Sequence, residues 1–137
     1  MGTGEQQPGH SVVRQAGRRA RLSEAISRGG DVCVWCRSPF DDRWVKPTTE
    51  HLVPKIKGGP SWLENEMAAC HRCNKARGHR GISDWVAECR ARGWEPRTDQ
   101  IHSRLLALQS IIAQRGGQRR ARRYIDGQLR RLNKQQD

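Results

Sequence analysis

The chain has 137 residues, of which 34% are hydrophobic, with one Phe and one Tyr beside five Trp. That excludes a large apolar core and favours a small one built on a few big rings, for which a structural metal is the natural supplement. Its 26 Lys and Arg against 14 Asp and Glu leave a net charge of +12, a balance that draws polyanions through their phosphates and makes nucleic acid the leading partner.

Residues 1–20 carry Gly, Gln, Pro and Ser with little apolar periodicity and are expected to be a flexible arm. It turns basic at Arg18 and Arg19, with Arg21 just beyond. No apolar run approaches the roughly 20 residues that span a bilayer, and no export-signal core is seen, so a cytoplasmic protein with no membrane partner is expected. A short helix is predicted over 20–27, ended by Gly29-Gly30, and Val32 to Cys36 reads as a strand entering a cysteine turn. Trp44 to Val53 suits a strand, Pro54 and Gly58-Gly59-Pro60 a loop, and Glu66 to Ala69 a second short strand. A helix then runs through Asn74 to about Arg77. Ser83 or Asp84 is expected to cap the next one, which places Trp85, Val86 and Cys89 on one face. The lone Cys89 reads there as a buried thiol, and His71 as a solvated turn residue.

Thr98 is expected to cap a further helix in which Ile101, Leu105, Leu108 and Ile112 recur at helical spacing, Leu106 and Ile111 widening the stripe. Gly116-Gly117 stops it. The last 23 positions, from Arg115, hold eight basic and two acidic residues, 8 minus 2 giving +6. With Tyr124, Ile125, Leu129 and Leu132 spaced along them they suggest a basic helix. The division expected is an arm (1–20), a central unit (21–95) and a basic helical extension (96–137).

Chemistry concentrates in the central unit. Cys33-x2-Cys36 and Cys70-x2-Cys73 supply four thiolates in two pairs, whose natural product in a reducing compartment is a tetrahedral structural zinc site. The 33 residues between the pairs exceed the roughly 15 to 20 common in zinc ribbons and leave room for a functional hairpin.

Between and just after the cysteines come EHLVPKIKGG and then NEMAACHRCNKARG. An acid–histidine pair, a Gly-Gly loop, Asn65 ahead of one cysteine pair and Asn74 directly after it stand in an order that resembles the four-cysteine form of the HNH endonuclease family over about residues 33–80. The resemblance implies an α+β fold, a small zinc-stapled ββα-metal core of treble-clef-like type with flanking helices and basic termini. It also implies hydrolysis of DNA phosphodiester bonds, with His51 as general base and one divalent ion, Mg²⁺ or Mn²⁺, on hard oxygens from Glu50 and Asn74. Asn65 is expected to tie the loop together and orient His51. Two departures stand out: Glu50 occupies the family's usual Asp position, one methylene longer, and Asn74 stands where the family's last letter has His.

Lys75, Arg77 and Arg80, with Arg119, Arg120, Arg122 and Arg123 of the tail, are expected to contact DNA phosphates, which position without reading bases. Removal of residues 115–137 is accordingly expected to weaken DNA binding while sparing the metal chemistry. A homodimer or a phage packaging partner is compatible with these features. The competing reading is a non-catalytic zinc module that binds nucleic acid, in which Glu50, His51 and Asn74 are incidental.

Overall fold

A computed structural model describes residues 15–136; the greater part of the expected arm lies outside them. The basic residues assigned to the arm's end are helical instead, Arg18 opening α1 (Arg18–Gly29). Gly30, at φ +95°, ends this helix in a conformation that L side chains rarely adopt.

The segment Val32 to Cys36 is a turn rather than a strand. Val32 makes a single bridge to Pro39, and Arg37 takes φ +62° so that the two thiols can face one point. The first strand is also shorter than its composition suggests. Asp41 Oδ1 accepts from the N–H groups of Arg43 and Trp44 at 2.7 and 2.5 Å, a local turn that competes with extended pairing and leaves Trp44 82% exposed.

β1 (Pro47–His51) and β2 (Glu66–Cys70) form one antiparallel pair in which Glu50 faces Met67 and His51 faces Glu66. The 54–60 loop between them folds back tightly. A Cβ on Gly59 would meet Val53 O at 1.7 Å, so no other residue fits without moving the loop.

β2 runs directly into α2 (His71–Arg77), with His71 exposed at its first position. α3 (Ile82–Ala91) buries Trp85, Val86 and Cys89 as the periodicity predicts. Burial pushes the Cys89 thiol up to about 12, which keeps it neutral and inert. Neither Ser83 nor Asp84 caps α3. Gly81 takes the cap position, and the free N–H groups of Ile82 and Ser83 are met by Tyr124 Oη at 3.0 Å and Gln128 Oε1 at 2.7 Å.

α4 (Thr98–Arg115) likewise begins one residue after its cap, Arg97, so Thr98 is helical. Ile101, Leu105, Leu108 and Ile112 are buried, whereas Leu106 is 45% exposed and does not widen the stripe. α5 (Arg119–Gln136) buries Ala121, Ile125, Leu129 and Leu132 in the same core that holds the cysteines, Trp35, Leu52 and Val53. Its basic face covers a structural one. Cutting the chain at residue 115 would therefore strip the core and uncap α3, and cannot isolate DNA binding from folding. Among the described residues no helix is long and apolar enough to cross a membrane.

Candidate active site

The two cysteine turns meet as their spacing requires. The sulfur atoms of Cys33, Cys36, Cys70 and Cys73 all lie within 4.8 Å of one another. A tetrahedron with zinc–sulfur bonds of about 2.3 Å has edges of about 3.8 Å, so the four fit zinc after a slight contraction. The environment favours thiolates: the Trp35 and Cys73 amides donate to Cys33 Sγ and Cys70 Sγ at 3.4 and 3.5 Å, and Arg72 reaches Cys36 Sγ at 3.8 Å. Within the tetrad, the Cys33–Cys73 hydrogen bond pulls the Cys33 thiol down and pushes the Cys73 thiol up.

β1 leaves this cluster and carries Glu50 and His51 to its far end. Glu50 is buried, at 4% exposure, and both of its oxygens are engaged. Trp35 Nε1 donates to Oε2 at 2.6 Å, Arg77 Nη1 lies 3.4 Å from the same oxygen, and Asn74 Nδ2 donates to Oε1 at 2.8 Å. Burial pushes the carboxyl up, while Arg77 and Trp35 pull it back. The extra methylene relative to Asp is thus not a loose joint, because the end of the side chain is pinned.

The 2.8 Å between Asn74 and Glu50 Oε1 also bears on a divalent ion. Two cis ligands of an octahedral ion with bonds of about 2.1 Å stand about 3.0 Å apart. A half-turn of the Asn74 amide exchanges its nitrogen for Oδ1 and produces that edge. The donor set therefore fits a hard ion.

His51 is half-buried. Its Nε2 lies 3.2 Å from Ser61 Oγ and 3.5 Å from Glu66 Oε2. Burial lowers its pKa from the usual value, Glu66 opposing and the cations Lys55, Arg21 and Arg18 reinforcing, so the ring is neutral at pH 7 and able to accept a proton. Asn65 is fully buried and ties the loop: Oδ1 accepts from Val53 N at 2.9 Å, and Nδ2 donates to Val53 O at 3.1 Å and Pro60 O at 2.9 Å. It touches the backbone beyond His51 and not the ring, so any effect on the imidazole is indirect.

Of the basic residues expected to meet phosphate, Lys75, Arg80, Arg119, Arg120, Arg122 and Arg123 are exposed. Arg120 reaches Ile56 O, which seats the basic first turn of α5 against the loop that follows His51. Arg77 is a correction. At 1% exposure it has no outward surface, and its guanidinium donates to His51 O at 2.8 Å, Leu52 O at 2.9 Å and Arg80 O at 3.0 Å. It is a strut under the end of β1.

Trp35, Ser61 and Glu66 line the same cluster without having been singled out in the sequence, and Arg21, expected only as a basic residue beside the arm, reaches it through Glu66. Trp35 stood in the sequence only as part of the expected strand from Val32 to Cys36. Glu66 becomes visible only through the strand register that sets it opposite His51.

Residues 33–85 match a family described as HNH endonuclease. Over 64 residues the chain is 30% identical to the CRISPR-associated endonuclease Cas9 of Corynebacterium diphtheriae, an alignment that covers 46% of this chain and 6% of that protein.

Proposed function

We propose that the protein, whose residues 33–85 match a family described as HNH endonuclease, is a metal-dependent endonuclease that hydrolyses phosphodiester bonds in DNA. The observation that carries the reading is the pairing, at the end of one strand, of a neutral half-buried histidine with a pinned carboxylate 2.8 Å from the Asn74 amide.

His51 takes the proton of the attacking water at Nδ1, its Nε2 lying 3.2 Å from Ser61 Oγ and 3.5 Å from Glu66 Oε2. Glu50 and Asn74 are the residues that would hold a divalent ion, which when bound would supply positive charge to the phosphate and to the leaving oxygen. Trp35 and Arg77 keep Glu50 Oε2 occupied, so that Oε1 is the oxygen turned toward Asn74. Asn65 closes the 54–60 loop, which fixes the backbone directly after His51. Lys75, Arg80 and the exposed arginines at the start of α5 hold the flanking phosphates. The four cysteines, loaded with zinc, staple β2 and α2 to the turn that carries Trp35 and thereby hold Glu50 in place.

The test is cleavage of supercoiled plasmid by the zinc-loaded protein with Mg²⁺, Mn²⁺ or chelator, beside His51→Ala. Ion-dependent nicking lost in His51→Ala, with about one zinc retained per chain in both proteins, is the expected result. If the wild type cuts with no ion, or His51→Ala cuts equally well, the enzymatic reading fails.

A further inference from the structure

Glu66 is fully buried and opposes His51 across the strand pair, which places the two side chains on one face of the sheet. One carboxylate oxygen is fixed: Arg21, projecting from α1, donates its Nε–H to Oε1 at 2.7 Å. The other, Oε2, has no hydrogen-bond partner within normal range and is shielded from solvent. The polar atom it faces is His51 Nε2, at 3.5 Å. A buried acceptor left open in this way is costly unless something nearby supplies a proton.

Ser61 alone cannot set the ring. Its hydroxyl, 3.2 Å from Nε2, is able either to accept from an Nε2–H or to donate to an Nε2 lone pair, so it is compatible with both tautomers. An ionised carboxylate accepts and never donates. Next to Nε2 it selects the tautomer that carries hydrogen there and leaves the Nδ1 lone pair free. We propose that Glu66, clamped by Arg21 of α1, is the positioning residue that fixes the tautomer and orientation of His51, so that α1, outside the segment matching the nuclease family, is part of the active site.

α1 is anchored for this task at its first residue, where Arg18 Nη2 donates to Thr48 Oγ1 at 3.1 Å on β1. Two turns beyond Arg21, Arg28 donates to Glu66 O at 3.1 Å, so the helix grips the backbone of Glu66 as well as its side chain. The inference rests on His51 acting as the base, and its test reads the ring directly as well as the reaction.

The zinc-loaded full chain, labelled with ¹⁵N, is examined by long-range proton–nitrogen correlation at a pH where His51 is neutral, the signals being assigned by their loss in His51→Ala. The expected wild-type result is the Nε2–H tautomer, giving way to a mixture in Glu66→Gln. In parallel, kcat for plasmid nicking should fall about a hundredfold in Glu66→Gln with KM unchanged, the cost expected of a misoriented base. Glu66→Asp should recover part of the rate. If Glu66→Gln does not fold, Arg21→Gln, which leaves the carboxylate in place but unclamped, should show the same changes at smaller amplitude. An Nδ1–H tautomer in the wild type, or a tautomer and kcat indifferent to both variants, overturns the proposal. A tautomer that responds to Glu66 in a protein that cuts nothing supports the positioning role and sinks the nuclease reading. Cleavage that requires His51 but ignores Glu66 does the reverse.

Discussion

Replacing Arg77 with Met separates two roles that the linear sequence confuses. The guanidinium donates to the carbonyls of His51, Leu52 and Arg80, lies 3.3 Å from Tyr124 Oη and 3.4 Å from Glu50 Oε2, and is 1% exposed. Removing one member of a buried ion pair costs about 3–5 kcal/mol, and the His51 and Leu52 carbonyls each lose a donor at about 1 kcal/mol. Protonation of the stranded Glu50, whose carboxyl burial already pushes up, recovers part of this. The net loss expected is about 4 kcal/mol, a large share of the 5–15 kcal/mol typical of a domain. With a slope of about 2 kcal/mol per molar urea, the midpoint should fall by about 2 M. The same preparations, kept cold so that the variant stays folded, are titrated with duplex DNA at several salt concentrations. A strut leaves the slope of log affinity against log salt unchanged, whereas a lost phosphate contact makes it shallower by about 0.9. A shallower slope with an unshifted urea midpoint would refute the assignment.

Asn65→Ala removes three hydrogen bonds from a fully buried amide and should cost about 3 kcal/mol; thermal unfolding that moves by less than 1 kcal/mol would show that the loop is held by something else. Because burial depresses the His51 pKa, the acid limb of the kcat profile should have its midpoint below about 6.5, with the rate level from pH 7 upward. The same shift gives a contribution to stability that is present above about 6.5 and lost as pH falls through the folded-state value; a limb centred at 7 or higher contradicts both. Stripping zinc from the four cysteines should unfold the chain around Trp35 and Trp85, read as loss of near-ultraviolet dichroism and recovered on adding zinc; a chelated protein with native dichroism would dismiss the staple. Changing the exposed Arg119, Arg122 and Arg123 together to Gln should reduce the salt slope by up to about 2.7 with little change in stability, and an unaltered slope would remove α5 from the binding surface.

The apolar periodicities of α3, α4 and α5 and the metal-type cysteine spacing were legible locally, because helix faces and paired thiols are written at short range. The motif order from Glu50 to Asn74 was legible for the same reason, each residue standing at a fixed offset from a cysteine pair or a glycine turn. Arg77 was misread because a basic residue after a helix turn looks alike whether it faces water or the underside of a strand. Only its neighbours, the carbonyls of His51 and Leu52 and the carboxylate of Glu50, distinguish the two. The basic tail was half legible: the helix could be seen, but not that Tyr124 and Gln128 cap α3 from across the core.

The sequence by itself thus determined which residue types exist to do chemistry and along which stretch they lie. Tertiary structure alone decided what each one faces. The register of β1 on β2 sets Glu66 against His51, and the docking of α1 brings Arg21 to Glu66 across 45 residues of chain. Such pairings depend on burial and strand register, which are properties of the packed whole that no local spacing encodes.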